Sequence, residues 1–195
     1  MKLNQKLFNQ IKSEPFLTQS VEGKVIEIHL MNDTPFMDQY AKKGRFSLWS
    51  SNGHTYKLLL EKSYYEHMEA FYQDDVNAIW LNFLEEVTTS NRKISFKFLT
   101  PILILYVLVA VISTLFFPEQ LALFFVFVII IVFFSNTIQN KKIKENINKQ
   151  NEATQENIKA VLGEKVYQQL VVSQDKHYKE FFNIQDEPQG DVDAK

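Results

Sequence analysis

The chain of 195 residues contains no cysteine. That excludes disulfides, thiol nucleophiles and thiolate-ligated zinc, and it suits a chain facing a reducing compartment. Glycine is nearly as scarce, with five in all and none between Gly53 and Gly163. There is therefore no glycine-rich phosphate loop and no GxSxG elbow, and no GxxxG contact is available to the central helices. Charge is missing from two long stretches, residues 98–117 and 121–138, which hold no acidic or basic residue. A predominance of one sign is absent too. Residues 1–97 carry twelve Lys/Arg against twelve Asp/Glu, and residues 141–195 carry nine Lys against ten Asp/Glu. A nucleic-acid partner, which needs a basic face or stripe, is excluded on that balance.

What fills the uncharged stretches is Leu, Ile, Val and Phe, much of the chain's complement of seventeen Phe. Each run has about the length, roughly 17–25 residues, that a helix needs to cross a bilayer. Only Pro118, Glu119 and Gln120 separate them. Thr100-Pro101 reads as an N-cap followed by proline at the first helical position, and Pro118 with Glu119 repeats that signature. A single helix through both runs would approach about 60 Å at 1.5 Å per residue, far beyond the hydrocarbon core. The expectation is a hairpin with helices over 98–117 and 118–138. Arg92, Lys93 and Lys97 precede it, and Lys141, Lys142 and Lys144 follow it, whereas the connection holds only Glu119. Basic residues flanking spans stay on the cytoplasmic side, so both termini are expected in the cytosol of a cell-membrane protein with two spans. The opening Met1-Lys2-Leu3-Asn4 lacks the apolar core of a signal peptide, so no cleavage is expected there.

Residues 1–97 read as a small cytosolic α+β domain. Leu3, Leu7 and Ile11 suggest a short helix before Pro15. Residues 24–31, 46–50 and 56–60 have strand character, and Asn52-Gly53 between the last two predicts a hairpin with a type I′ turn. The expected sheet is a three-stranded antiparallel meander. Over residues 63–88 the period becomes helical, and that helix should cover the sheet with Trp80 and Phe83. Residues 89–97 would link it to the bilayer. Beyond the second run the helix should continue as a polar stalk with a sparse seam of Ile143, Ile147, Thr154 and Ile158. The seam is too weak for a full coiled coil and is suited to weak pairing with a second copy. Gly163 should break the helix, and a second amphipathic helix should follow, needing an apolar surface on the amino-terminal domain or on another subunit. Residues 185–195 read as a short disordered acidic tail.

Chemistry-bearing residues are few. His29, His54 and His67 lie in the first domain, with Glu61, Glu66 and Glu69 nearby in sequence. His67 has no second histidine at the helical spacing a metal pair requires. Asp74-Asp75 point different ways on a helix and read as a solvated face. The aromatic set Tyr64, Tyr65, Phe71, Tyr72 and Trp80 has the spacing of a core stripe before that of a ligand groove. Phe36, Met37 and Tyr40, ahead of Lys42-Lys43, are candidates for a membrane-interface or partner contact. No catalytic, cofactor-binding or metal residue is assigned, and no cofactor is expected.

The layout of a tight two-span hairpin with both ends on one side resembles two-span effectors of bacterial conflict systems and small accessory subunits of membrane complexes. The likeness is of layout alone, and layout does not carry function. The favoured reading is a non-enzymatic membrane adaptor or regulatory subunit, with the lipid bilayer and a protein partner or a second copy as its contacts. An oligomeric pore or membrane-disrupting effector comes second. An enzyme acting on a lipid-proximal substrate is the least favoured.

Overall fold

Strand formation begins one hairpin earlier than the β-branched run at Lys24 suggests. In the computed structural model, which describes Leu3, residues 5–34 and residues 36–184, β1 (Leu17–Val21) pairs antiparallel with β2 (Lys24–Leu30). Val21 lies opposite Lys24, so the loop is Glu22-Gly23 alone. Both loop residues have positive φ, 51° and 76°, the type I′ geometry whose twist matches the strands it joins. The expected Asn52-Gly53 hairpin joins β3 (Ser47–Ser51) to β4 (Thr55–Leu60), but with different chemistry. Only Gly53 has positive φ there, at 101°. Asn52 instead uses its side-chain Oδ1 to accept from the backbone N–H of His54 and of Thr55, each at 2.9 Å.

The sheet is four-stranded and mixed, in the order β1-β2-β4-β3, because β2 and β4 run parallel. This corrects the three-stranded antiparallel meander. The physical reason lies in β4, where Leu58, Leu59 and Leu60 are all fully buried. Consecutive buried leucines mark a strand covered on both faces, which belongs inside the sheet. The more polar β3 and β1 take the edges. A short helix α1 (Gln5–Phe8) buries Leu7, with Ile11 just beyond it, and α2 (Asp38–Ala41) lies in the connection between β2 and β3.

The single helix expected over residues 63–88 is broken. α3 (Lys62–Met68) passes into a 3-10 turn, Glu69–Tyr72, and Gln73 is extended before α4 (Asp74–Phe116) begins. The break is held by side-chain amides. Gln19 Nε2 and Asn77 Nδ2 both donate to the Tyr72 carbonyl, at 2.9 and 2.8 Å, and Asn77 Nδ2 also donates to Gln19 Oε1 at 2.6 Å. Asp74 and Asp75 thus open a helix, where their charge complements its dipole. Trp80 and Phe83 are buried as expected, and Trp80 Nε1 donates to the Phe71 carbonyl.

α4 runs unbroken for 43 residues with Pro101 inside it. Residues 89–97 are therefore helix, continuous with the apolar run, and Thr100-Pro101 is not a helix start. Proline removes one backbone donor and frees the carbonyl four residues before it, that of Lys97, a loss that long apolar helices tolerate. The chain turns through Pro118–Gln120, then continues as α5 (Leu121–Leu162) and, after Gly163 at φ 80°, as α6 (Glu164–Phe181). Both α4 and α5 are long and apolar enough to cross a membrane. The expected tail, residues 185–195, lies outside the described residues.

Two compact units emerge. The first combines Met1–Trp80 with Asn157–Lys195, and the second is Leu81–Glu156. In sequence the second unit is an insertion into the first. Within it α4 and α5 are antiparallel, with Tyr106 beside Phe125 and Phe117 beside Phe124 at the apolar end. At the polar end Gln139 donates to Ser95, and both Asn146 and Gln150 donate to Ser90 Oγ. The polar residues of the stalk are thus used against α4 of the same chain.

The Glu22-Gly23 turn yields a test. A Cβ at Gly23 meets nothing within 4 Å, so only the backbone conformation resists substitution. Gly23→Val should cost about 1–2 kcal/mol, the strain of a side chain in left-handed backbone. The check is a lowered apparent melting temperature for the full chain in detergent.

Candidate functional site

The first unit gathers its titratable groups in two places. The larger lies where α6 packs against α3. Glu61 precedes α3 as its N-cap, and its two carboxylate oxygens accept from the backbone N–H of Ser63 at 3.0 Å and of Tyr64 at 2.6 Å. From α6, His177 enters the same place, its side chain only 4 % exposed. Its ring packs edge-on against Phe46 at 4.7 Å and lies 5.5 Å from Tyr64 and 6.0 Å from Phe181. His177 Nε2 sits 3.5 Å from Glu61 Oε2 and makes no hydrogen bond. His67, one turn along α3, lies 5.7 Å away between ring centres and has its Nδ1 2.8 Å from the Ser63 carbonyl. Gln174 Nε2 donates to the Tyr64 hydroxyl at 3.1 Å and closes the cluster.

Burial dominates the electrostatics. It holds the His177 imidazole below its ordinary pKa, with Glu61 and Glu180 pulling upward and His67 pushing further down. It raises the phenol of Tyr64 and raises that of fully enclosed Tyr72 much further.

The second place is His29 on β2. The Ser13 hydroxyl is 3.2 Å from His29 Nδ1 and 3.0 Å from the Thr34 hydroxyl, while His29 Nε2 lies 3.5 Å from Glu27 Oε2. Lys57 is 3.7 Å from the same carboxylate and donates to the Ile11 carbonyl. This stitches the segment before β1 onto the sheet. Burial, helped by the Lys57 charge, holds the His29 pKa below its ordinary value although Glu27 pulls it upward.

The residues weighed from sequence scatter. His54 stands exposed in the β3–β4 loop, and His29 and His67 belong to different clusters. Phe36 projects into solvent, 81 % exposed and at φ 65°, whereas Met37 beside it is buried. Tyr64 and Tyr72 are buried core, and Phe71 lies against Trp80 and Tyr167. Among the basic residues flanking the apolar runs, Arg92 lies over the Phe96 ring and Lys142 over the Phe98 ring, at 5.6 and 5.5 Å. Lys93, Lys97, Lys141 and Lys144 are exposed on the same helices. Sequence reasoning missed His177. Its signal was present: it falls seven residues after Leu170, so both lie on one face of α6, and these two are the helix's buried residues. Among the described residues no three His, Asp or Glu side chains are grouped to hold a metal ion.

No family model, curated protein or solved structure matches the chain. The reading of its function therefore rests on the geometry alone.

Two outcomes follow from the clusters. Removing the cap with Glu61→Ala should cost about 1 kcal/mol, seen as a drop in apparent melting temperature. The buried histidines set a pH dependence. Each binds its proton less readily folded than unfolded, so the stability it confers is intact above the unfolded value of about 6.5 and falls as pH drops below it. The full chain in detergent should melt lower at pH 5.5 than at pH 7.5, and His29→Gln should remove part of that difference. An identical melting temperature at both pH values would contradict neutral, buried imidazoles.

Proposed function

We propose that this chain is an integral membrane adaptor or regulatory subunit. A two-span hairpin anchors it, and one cytosolic module, built from both chain ends, binds a protein partner. The observation that carries this reading is the discontinuous first unit, in which residues before α4 and after α5 fold together. A chain that leaves a folded body and returns to it must come back to the side of the bilayer from which it left. That favours two crossings of a hairpin over a single span. The side is given by Arg92, Lys93, Lys97, Lys141, Lys142 and Lys144, which favour the cytosol.

The polar groups of the apolar runs support an anchor over a conduit. The hydroxyls of Ser113, Thr114 and Thr137 donate to the carbonyls of Val109, Ala110 and Phe133 on their own helices. With these donors turned back onto their own helices and no charged side chain in either run, little is left to line a path for an ion or solute. The residues at the ends of the runs stack their cations over Phe96 and Phe98, as expected of a boundary between water and lipid.

Because the chain is free of cysteine, single cysteines report topology without background. With cysteine in place of Lys12 or Lys165, a membrane-impermeant maleimide should react only after cells are opened. With cysteine in place of Glu119, it should react with intact cells. Labelling of residues 12 and 165 from opposite sides would overturn the hairpin. For the adaptor role, crosslinking in intact membranes should capture a protein in defined proportion, and a monomeric chain that captures none would count against it.

A further inference from the structure

His177 occupies a place that a hydrophobic residue would fill at lower cost. It is the buried polar residue on the face of α6 that meets α3, and the ring is enclosed by Phe46, Tyr64 and Phe181. Its Nε2 has no hydrogen-bond partner. An unpartnered buried nitrogen weakens the docked state and has to be explained by something other than packing. Facing it from α3 is a second imidazole, His67, with 5.7 Å between ring centres.

We propose that α6 is a proton-operated latch on the aromatic face formed by Phe46 and Tyr64, closed while His177 is neutral and released when His177 takes up a proton. The charged groups around the ring set this direction. From the start of α3, Glu61 faces Nε2, but both of its oxygens already accept from the Ser63 and Tyr64 backbone N–H groups. From α6 itself, Glu180 also favours the charged ring. Against them stand the enclosure by three aromatic rings and the repulsion from the neighbouring His67 imidazole. Burial is the largest of these influences, and it favours the neutral ring. A proton that binds more weakly in the docked state must favour undocking as pH falls.

The latch has a hinge and a seat. Gly163 joins α5 to α6 at φ 80° and ψ 149°, a backbone conformation that side-chain-bearing residues rarely adopt, and a Cβ there would meet nothing within 4 Å. At the far end, Tyr178 and Phe182 lie against Gly44, where a Cβ would approach Tyr178 to 3.2 Å. Release frees the rings of Phe46 and Tyr64, an apolar surface that only the closed state covers.

Hydrogen exchange over residues 164–181 tests this in the full chain, held in detergent micelles, with rates corrected for the intrinsic effect of pH. Between pH 7.5 and 5.5 one imidazole with an ordinary value of about 6.5 when released can shift the docking equilibrium by up to about tenfold. We expect α6 to lose protection at pH 5.5, by no more than that factor, while β2 and β4 keep theirs. His177→Gln should abolish the pH response, and His67→Gln should move it to lower pH. Spin labels at Lys62→Cys and Gln169→Cys should give a narrow distance distribution at pH 7.5 and a broad, longer one at pH 5.5. This second measurement leaves both histidines in place if His177→Gln loosens α6 at every pH. Equal protection and equal distance at the two pH values would overturn the latch, as would an undiminished response in His177→Gln.

Discussion

The docking of α6 against α3 is the contact on which the rest of the molecule depends. It joins residues separated by more than a hundred positions, such as Gln174 and Tyr64, and makes one body from the two ends of the chain. Once those ends are joined, everything between Leu81 and Glu156 is an excursion that must return to where it began. A pair of antiparallel helices with a three-residue turn makes that excursion with nearly all of its backbone hydrogen bonds kept within each helix.

Within the excursion, the chain solves one problem twice. In the apolar part, the hydroxyls of Ser113, Thr114 and Thr137 fold back onto carbonyls four residues earlier on their own helices. In the polar part, amides and hydroxyls of the two helices bond to one another through Ser90, Ser95, Gln139, Asn146 and Gln150. Asn and Gln in a helix seam would be weak packers against an apolar partner. Against serine they form directed bonds that fix the register of α4 on α5.

Much of this was legible in the residues. The two runs without charge, the turn at Pro118 and the break at Gly163 are each read from one local rule, and the structure contains all three. The strands at Lys24, Ser47 and Thr55 were also visible, as was the burial of Trp80 and Phe83. The first strand was not, because Leu17-Thr18-Gln19-Ser20-Val21 is polar for a strand and Glu22 gives no obvious turn signal. Its turn works because Gly23 can adopt positive φ and Glu22 is carried with it. The break at Gln73 was invisible for another reason. It is imposed by amides of Gln19 and Asn77, one of them far away in sequence, on a segment whose own periodicity is helical.

The candidate site divides along the same line. Spacing alone put His67 on a helix and left it without a partner, since a helical partner was sought three or four residues away. Its neighbour is His177, from the other end of the chain. The sequence by itself determined which segments are apolar and uncharged, the turn at Pro118 and the break at Gly163, because those depend on composition and on the backbone limits of proline and glycine. Only the tertiary structure decided that β2 and β4 run parallel, that α6 belongs to the first unit, and that the Nε2 of a buried histidine lies unbonded beside the glutamate that caps α3. Each of these depends on contacts between residues distant in the chain, which no local pattern encodes.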